Sequence, residues 1–226
     1  MMYYGCVADE RPFDYIRRRY VVMYSPSTKR GLILDTFKFR LWKMRARIFA
    51  WAALVKDYQS ENDTYLKMMT LTYANGDDWS SGHIREFIKW LKYTLEKDLL
   101  AFAWAAEIQE RGAVHYHVLA LTPKTVYIPF PDEYWKFGRT GIENARTPYY
   151  LVMYTGKSRQ KDLSRFPKSC RTYAASIRFG DQKTKEMFRE MSYLNKKEWD
   201  IEDWEFRAAT VTEGYGRYLL PVGTEI

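Results

Sequence analysis

Apolar and polar residues alternate in two stretches near the middle of the chain. In residues 101–108 large apolar residues alternate with alanines, and the alanine series ends in Glu107. In residues 114–121 the alternation places His115 and His117 on one side and a tyrosine between them on the other. Because successive side chains of a strand point to opposite faces, both stretches are predicted strands and the two imidazoles share a face. The polar residues and glycine between them predict an antiparallel hairpin, which brings Glu107 near the histidines.

A further strand and a helix precede this hairpin. Residues 65–73 alternate apolar and polar side chains, with Thr70 and Thr72 on one face. Beyond this strand apolar residues recur at helical spacing, and either Ser80 or Ser81 is the expected N-cap. The apolar side of this helix needs a sheet to cover, so we expect it to pack behind the strands. The remaining predicted elements are an irregular arm over residues 1–30, a basic helix over 36–57, a linker over 59–63, a short strand over 140–144 and a polar helix over 181–196.

Composition adds a class of partner to this picture. The chain has 226 residues, enough for one domain with a sizeable core. Its formal charge is +8 and 17% of its residues are aromatic, a combination that favours a ligand with phosphates and stackable bases. Two cysteines without metal-type spacing, and no signal peptide or bilayer-spanning stretch, indicate a reduced, cytoplasmic setting with no membrane partner.

The predicted hairpin carries a candidate metal site. Glu107, His115 and His117 would converge on one uncrowded face of the sheet, lined otherwise by small residues. One carboxylate and two imidazoles leave coordination positions for water and a phosphate oxygen, and they suit Mg²⁺ or Mn²⁺ as well as softer ions. The competing interpretation is that strand histidines are half-buried hydrogen-bonding residues. The third histidine, His83, is expected on the surface without a partner.

A second candidate site lies in residues 147–157. Thr147 is a suitable N-cap, a proline follows at the first helical position and a glycine ends the segment, so a short helix is predicted. Tyr150 and Tyr154 are then neighbours on one helix face, and Lys157 follows about one turn later. With 19 tyrosines in the chain, a pair at this spacing can also be mere packing.

Together these stretches resemble the HUH endonucleases, specifically the replication initiators of rolling-circle plasmids and of viruses with circular single-stranded genomes. The resemblance covers roughly residues 66 to 170, and its motifs occur in the family's order. They are Met69 to Tyr73, then His115-Tyr116-His117 with Glu107 as third metal ligand, then Tyr154 to Lys157 with Tyr150 at the spacing of initiators that have two nucleophiles.

The resemblance implies a fold, a reaction and partners. The expected fold is α+β, with a central antiparallel β-sheet, helices packed on one face and a ferredoxin-type (RRM-like) core. It would form a single domain with a basic N-terminal arm and helix over residues 1–64, a core over 65–180 and a C-terminal extension over 181–226. The implied activity is metal-dependent nicking of single-stranded or hairpin origin DNA through a 5′-phosphotyrosine, with any helicase supplied in trans by the host.

The chain departs from one branch of the family in its third motif. The filamentous-phage and bacterial-plasmid branch often has a lysine where Met153 stands. This favours Tyr154 as the principal nucleophile and leaves the reactivity of Tyr150 open. Two other functions stay possible: a single-strand-binding module without catalysis, and a transposase or relaxase of the same fold.

Overall fold

The computed structural model describes residues 20–25, 30–74, 79–109, 112–152, 166, 170–191, 205–207, 213–214 and 217–218, with side chains from Lys43 to Met191 within these ranges. The chain divides into two compact units. One contains the described residues from 44 to 191, and the other contains those before 44 and after 192. Residues 44–64 thus belong to the same unit as the core expected over 65–180, while the three-part division itself stays a prediction.

The smaller unit is built on short strands. Strand β1 (Tyr20–Ser25) pairs with β2 (Arg30–Asp35) and also with β8 (Glu205–Arg207), all antiparallel. Strands β9 (Glu213–Gly214) and β10 (Arg217–Tyr218) form a separate pair. The expectation of an irregular arm over residues 1–30 is therefore wrong for residues 20–25, where pairing with β2 imposes a strand.

The larger unit contains a five-stranded antiparallel sheet. Its strands are β3 (Thr64–Tyr73), β4 (Ala101–Ile108), β5 (Val114–Pro123), β6 (Gly138–Asn144) and β7 (Tyr173–Ile177). Their order across the sheet is β6-β3-β5-β4-β7. The helices are α1 (Thr36–Glu61), α2 (Ser81–Leu95) and α3 (Gln182–Met191). The predicted α+β fold with a central antiparallel sheet is confirmed.

The connection from β3 to β4 gives the sheet its ferredoxin-type order. Strands β3 and β4 are both antiparallel to β5, which lies between them, so they run parallel to each other. Helix α2 makes the crossover that such a parallel pair requires. The hairpin from β4 to β5 then fills the gap between β3 and β4. This arrangement places β5, which carries His115 and His117, at the centre of the sheet.

The two faces of the sheet are covered differently. We call the side that carries His115 and His117 the histidine face. On the opposite face, Tyr73 bonds His83 of α2 through its hydroxyl, at 2.9 Å from Nδ1. The apolar side of α2 is buried as its spacing predicts, through Ile84, Phe87, Ile88, Leu91 and Leu95.

The histidine face is less open than the small residues on it suggest. Ala101, Ala103 and Ala105 are fully buried. Helix α1 reaches the edge strand β7, where Arg47 and Trp51 donate hydrogen bonds to the carbonyls of residues 175 and 176. The expectation of an uncrowded face is therefore wrong along most of β4. The small alanine side chains leave room for covering side chains rather than for solvent.

Two local predictions are settled by hydrogen bonds. Ser80 is the N-cap of α2, since its hydroxyl accepts a bond from the Gly82 amide at 3.1 Å. His83 is not an isolated surface residue, because besides Tyr73 it stacks on Phe137 with ring centroids 3.8 Å apart. Sequence spacing did not reveal this partner because Phe137 comes from a distant segment.

Helix boundaries also differ in part from expectation. Helix α1 continues to Glu61, so the linker expected over residues 59–63 is helical for most of its length. Helix α3 begins after Asp181, whose carboxylate accepts a bond from the Thr184 amide. This bond holds the pKa of Asp181 below its usual range. None of the helices among the described residues has the length and apolar content needed to cross a membrane.

Candidate functional site

The β4–β5 hairpin places Glu107 directly opposite His115. The strands are in register from Ala101 with Leu121 to Ile108 with Val114, and Glu107 pairs with His115. The turn is closed by a bond from the Gly112 amide to the Gln109 carbonyl at 2.8 Å. Gly112 has a φ of 87°, which a residue with a side chain adopts only with strain. This glycine therefore permits the turn that sets the register of the site.

The three predicted metal ligands lie together at one end of the histidine face. His117 Nε2 is 3.8 Å from the Glu107 carboxylate, and the rings of His115 and His117 have centroids 4.4 Å apart. The His117 side chain is only 6% exposed, whereas that of Glu107 is 19% exposed. The carboxylate thus lies at the boundary between the buried imidazole and solvent.

Thr72 of β3 contacts this group from the other side. It pairs with His115 in the β3–β5 register, and its Oγ1 lies 2.6 Å from His115 Nδ1. Thr70 pairs with His117 in the same way. The prediction that Thr70 and Thr72 share one face is confirmed, and it is the face of the histidines.

The edge strand β6 completes the two rows of residues across the sheet. Arg139 pairs with Thr72, and Gly141 pairs with Thr70. A Cβ atom at Gly141 would come within 2.8 Å of Thr70 Oγ1. The glycine therefore gives Thr70 its space, and the exposed Arg139 stands on the histidine face two strands from His115.

The donor set suits a divalent cation in chemistry and nearly in spacing. Two ligands about 2.1 Å from one ion stand about 3.0 Å apart when adjacent and about 4.2 Å apart when opposite. The 3.8 Å between Glu107 and His117 falls between these values. As arranged, no three His, Cys, Asp or Glu side chains of the described residues are positioned to hold a metal ion. Binding would require a small movement, which the partly exposed Glu107 side chain allows.

The tyrosine motif is described only at its start. The Thr147 hydroxyl accepts a bond from the Tyr149 amide at 3.3 Å, which confirms the predicted N-cap, and residues 150–152 are helical. Tyr150 is half-buried, and Leu151 beside it is fully buried. Tyr154 and Lys157 lie outside the described residues, so the placement of the principal candidate nucleophile stays a prediction.

Sequence reasoning missed two neighbours of the histidines. Thr72 was recognised only as sharing a face with Thr70, and Arg139 was not singled out. Both become visible through strand register, which follows from the pairing of β3 with β5 and β6. The only signal in the sequence was the placement of Thr72 two residues after Thr70.

Comparison with known proteins adds one family. No curated protein and no solved structure matches the chain significantly. The matching family model is that of the Replication-associated protein ORF2, and it covers residues 66–163. That range contains β3, the β4–β5 hairpin with its carboxylate and histidines, and the tyrosine motif. Over these residues the chain therefore matches the ORF2 family of replication-associated proteins, which is consistent with a Rep-type replication initiator.

Proposed function

We propose that this protein initiates rolling-circle replication by nicking single-stranded DNA at an origin. The observation that carries the proposal is the convergence of Glu107, His115 and His117 on one face of the sheet, inside a segment that matches a replication-associated family. A buried imidazole beside a partly exposed carboxylate is a costly arrangement for a protein that only binds DNA. Such groups are instead typical of a site that does chemistry.

Glu107, His115 and His117 would hold a divalent cation, Mg²⁺ or Mn²⁺. The ion supplies positive charge that polarises the scissile phosphate and offsets its repulsion of a nucleophile. The chain's own contribution is to keep three donors on adjacent strands, where backbone pairing restrains their separation. Rigid strands are better suited to this than loops.

Tyr154 would attack the phosphorus atom through its phenolic oxygen. The bond between phosphorus and the 3′ oxygen breaks, the tyrosine proton passes to solvent, and the departing 3′ oxygen takes up a proton. The products are a 5′-phosphotyrosine and a free 3′-hydroxyl, which can later attack the linkage and rejoin the strand. Lys157 would stabilise charge on the phosphate or the tyrosinate. Tyr150 is the second candidate nucleophile for termination.

Arg139 would contact a phosphate next to the scissile one. Adjacent strands are about 4.8 Å apart, so an arginine two strands from His115 can reach a DNA backbone that crosses the histidine face. The net charge of +8 favours the same ligand through attraction to the DNA backbone. Strand separation at the origin would come from a host helicase acting in trans.

The test is formation of a covalent adduct with a labelled single-stranded origin oligonucleotide in Mn²⁺. Wild type, Tyr154→Phe, Tyr150→Phe and the double variant are compared on a denaturing gel. We expect a denaturation-resistant adduct with wild type and its near-complete loss in Tyr154→Phe. A single-strand-binding module without catalysis would bind the oligonucleotide and leave no adduct. An unchanged yield in Tyr154→Phe would move the nucleophile to Tyr150 or elsewhere.

A further inference from the structure

Thr72 occupies a specific place beside the proposed metal ligands. Strand β5 lies between β3 and β4, so His115 has Thr72 on one side and Glu107 on the other in a single row. Thr72 is 9% exposed, and its hydroxyl oxygen is 2.6 Å from His115 Nδ1. A short bond in a mostly buried setting constrains the imidazole strongly.

This bond determines which edge of the ring is presented to Glu107. The two nitrogens of an imidazole point in diverging directions. With Nδ1 turned toward β3 and Thr72, Nε2 is turned toward the β4 side of the row, where Glu107 lies. The nitrogen on the cation side is therefore Nε2.

The same bond also bears on the tautomer. A hydroxyl can donate or accept, but a neutral imidazole carries hydrogen on only one nitrogen. If Nδ1 carries it and donates to Thr72, Nε2 keeps the lone pair that a cation needs. If the Thr72 hydroxyl donates instead, Nε2 carries the hydrogen and repels a cation. A histidine that binds a metal usually donates its other N–H to an acceptor outside the metal's own ligands.

The residue type fits this task. Threonine is branched at Cβ and has restricted χ1 rotamers in a strand, so its hydroxyl is held in place without a further partner. Valine has the same shape but no acceptor, whereas serine keeps the hydroxyl. The pair therefore separates the hydrogen bond from the packing at this position.

We propose that Thr72 is a positioning residue that holds His115 as the Nδ1–H tautomer with Nε2 presented to a divalent cation. This inference rests on the proposed metal-dependent function. Thr72 acts through His115 and does not itself touch the cation or the DNA. Its contribution is to prepare the imidazole before the cation binds.

The first test is nitrogen NMR of the metal-free full-length protein at about pH 8, where an ordinary imidazole is neutral. In wild type and Thr72→Ser we expect His115 as the Nδ1–H tautomer. In Thr72→Val we expect the Nε2–H form or a mixture. Thr70→Val is the matched control, because Thr70 is on the same strand and face but pairs with His117. It should leave the His115 signals unchanged. A wild-type Nε2–H tautomer, or an unchanged tautomer in Thr72→Val, would overturn the proposal.

The second test is Mn²⁺ affinity by calorimetry on the same proteins, with thermal unfolding to verify that each is folded. We expect Thr72→Val to bind Mn²⁺ roughly tenfold more weakly and Thr72→Ser to bind like wild type. Equal affinity of Thr72→Val and wild type would overturn the role of Thr72 alone. A wild-type protein that binds no Mn²⁺ would overturn the proposed function, and the NMR result would still decide whether Thr72 sets the tautomer.

Discussion

At the scale of single residues, the three histidines of this chain have different environments despite similar sequence surroundings. His115 and His117 lie on one face with Glu107, and His83 lies on the other side of the sheet between Tyr73 and Phe137. Neighbouring residues Thr72 and Tyr73 point to opposite faces, so each bonds a different histidine. One strand thus supports the candidate site and anchors a helix at the same time.

Replacing His115 should remove metal-stimulated cleavage and leave the fold intact. We expect His115→Ala to lower the Mn²⁺-dependent rate of adduct formation by roughly 100-fold, since a cation at a phosphate contributes several kcal/mol. His83→Ala is the matched control. It should lower the free energy of unfolding by about 1–2 kcal/mol through its lost bond to Tyr73 but leave the metal dependence of cleavage unchanged. Equal metal dependence in His115→Ala and wild type would contradict the assignment.

The Tyr73 hydroxyl should make stability fall at alkaline pH. Burial raises its pKa above the ordinary value, and a hydrogen bond with the Ser80 backbone opposes the rise only in part. The folded protein therefore keeps the proton where the unfolded chain has lost it, so stability decreases as pH rises above about 10. Urea unfolding between about pH 9 and 11 should show a smaller decrease in Tyr73→Phe than in wild type. Identical slopes for the two proteins would exclude Tyr73 as the cause.

At the scale of elements, α2 illustrates how local signals and tertiary contacts share the work. The spacing of its apolar residues predicted both the helix and its buried side correctly. Choosing between Ser80 and Ser81 as N-cap required the hydrogen bond to Gly82. The two serines are adjacent, and sequence preference does not distinguish them.

The adjacent serines provide a direct test of the cap. We expect Ser80→Ala to lower the free energy of unfolding by about 1 kcal/mol, because one amide of the first turn loses its acceptor. Ser81→Ala should change it by a few tenths of a kcal/mol at most, since Ser81 is an exposed residue of the first turn. Chemical denaturation of both variants measures the difference. A larger loss in Ser81→Ala would assign the cap to the wrong serine.

At the scale of the whole molecule, positive charge and the histidine face point to the same ligand. The chain carries a formal charge of +8, and the segment that matches replication-associated proteins contains the sheet and both motifs. Arg139 is exposed on the edge strand of the histidine face. It is thus the described cation whose removal should most directly affect DNA bound across the site.

We expect Arg139→Gln to weaken binding of single-stranded DNA about fivefold, equivalent to about 1 kcal/mol. The dependence of log affinity on log salt should become less steep by about 0.7, as for one lost phosphate contact on a single strand. Lys97→Gln, which removes the same charge from the turn after α2, is the control and should have little effect. Fluorescence anisotropy over a series of salt concentrations measures both quantities. Equal losses in the two variants would indicate net charge rather than a specific contact.

The sequence by itself determined the elements and the pairing of the site residues on one face. Alternation with a period of two depends only on strand geometry, and it placed Glu107 near His115 and His117 correctly. The order β6-β3-β5-β4-β7, the cover on the alanine side of the sheet and the partners of His83 and His115 were decided by tertiary structure. Each of these depends on residues far apart in the chain, and the local pattern of one strand contains no information about which strand or helix will pack against it.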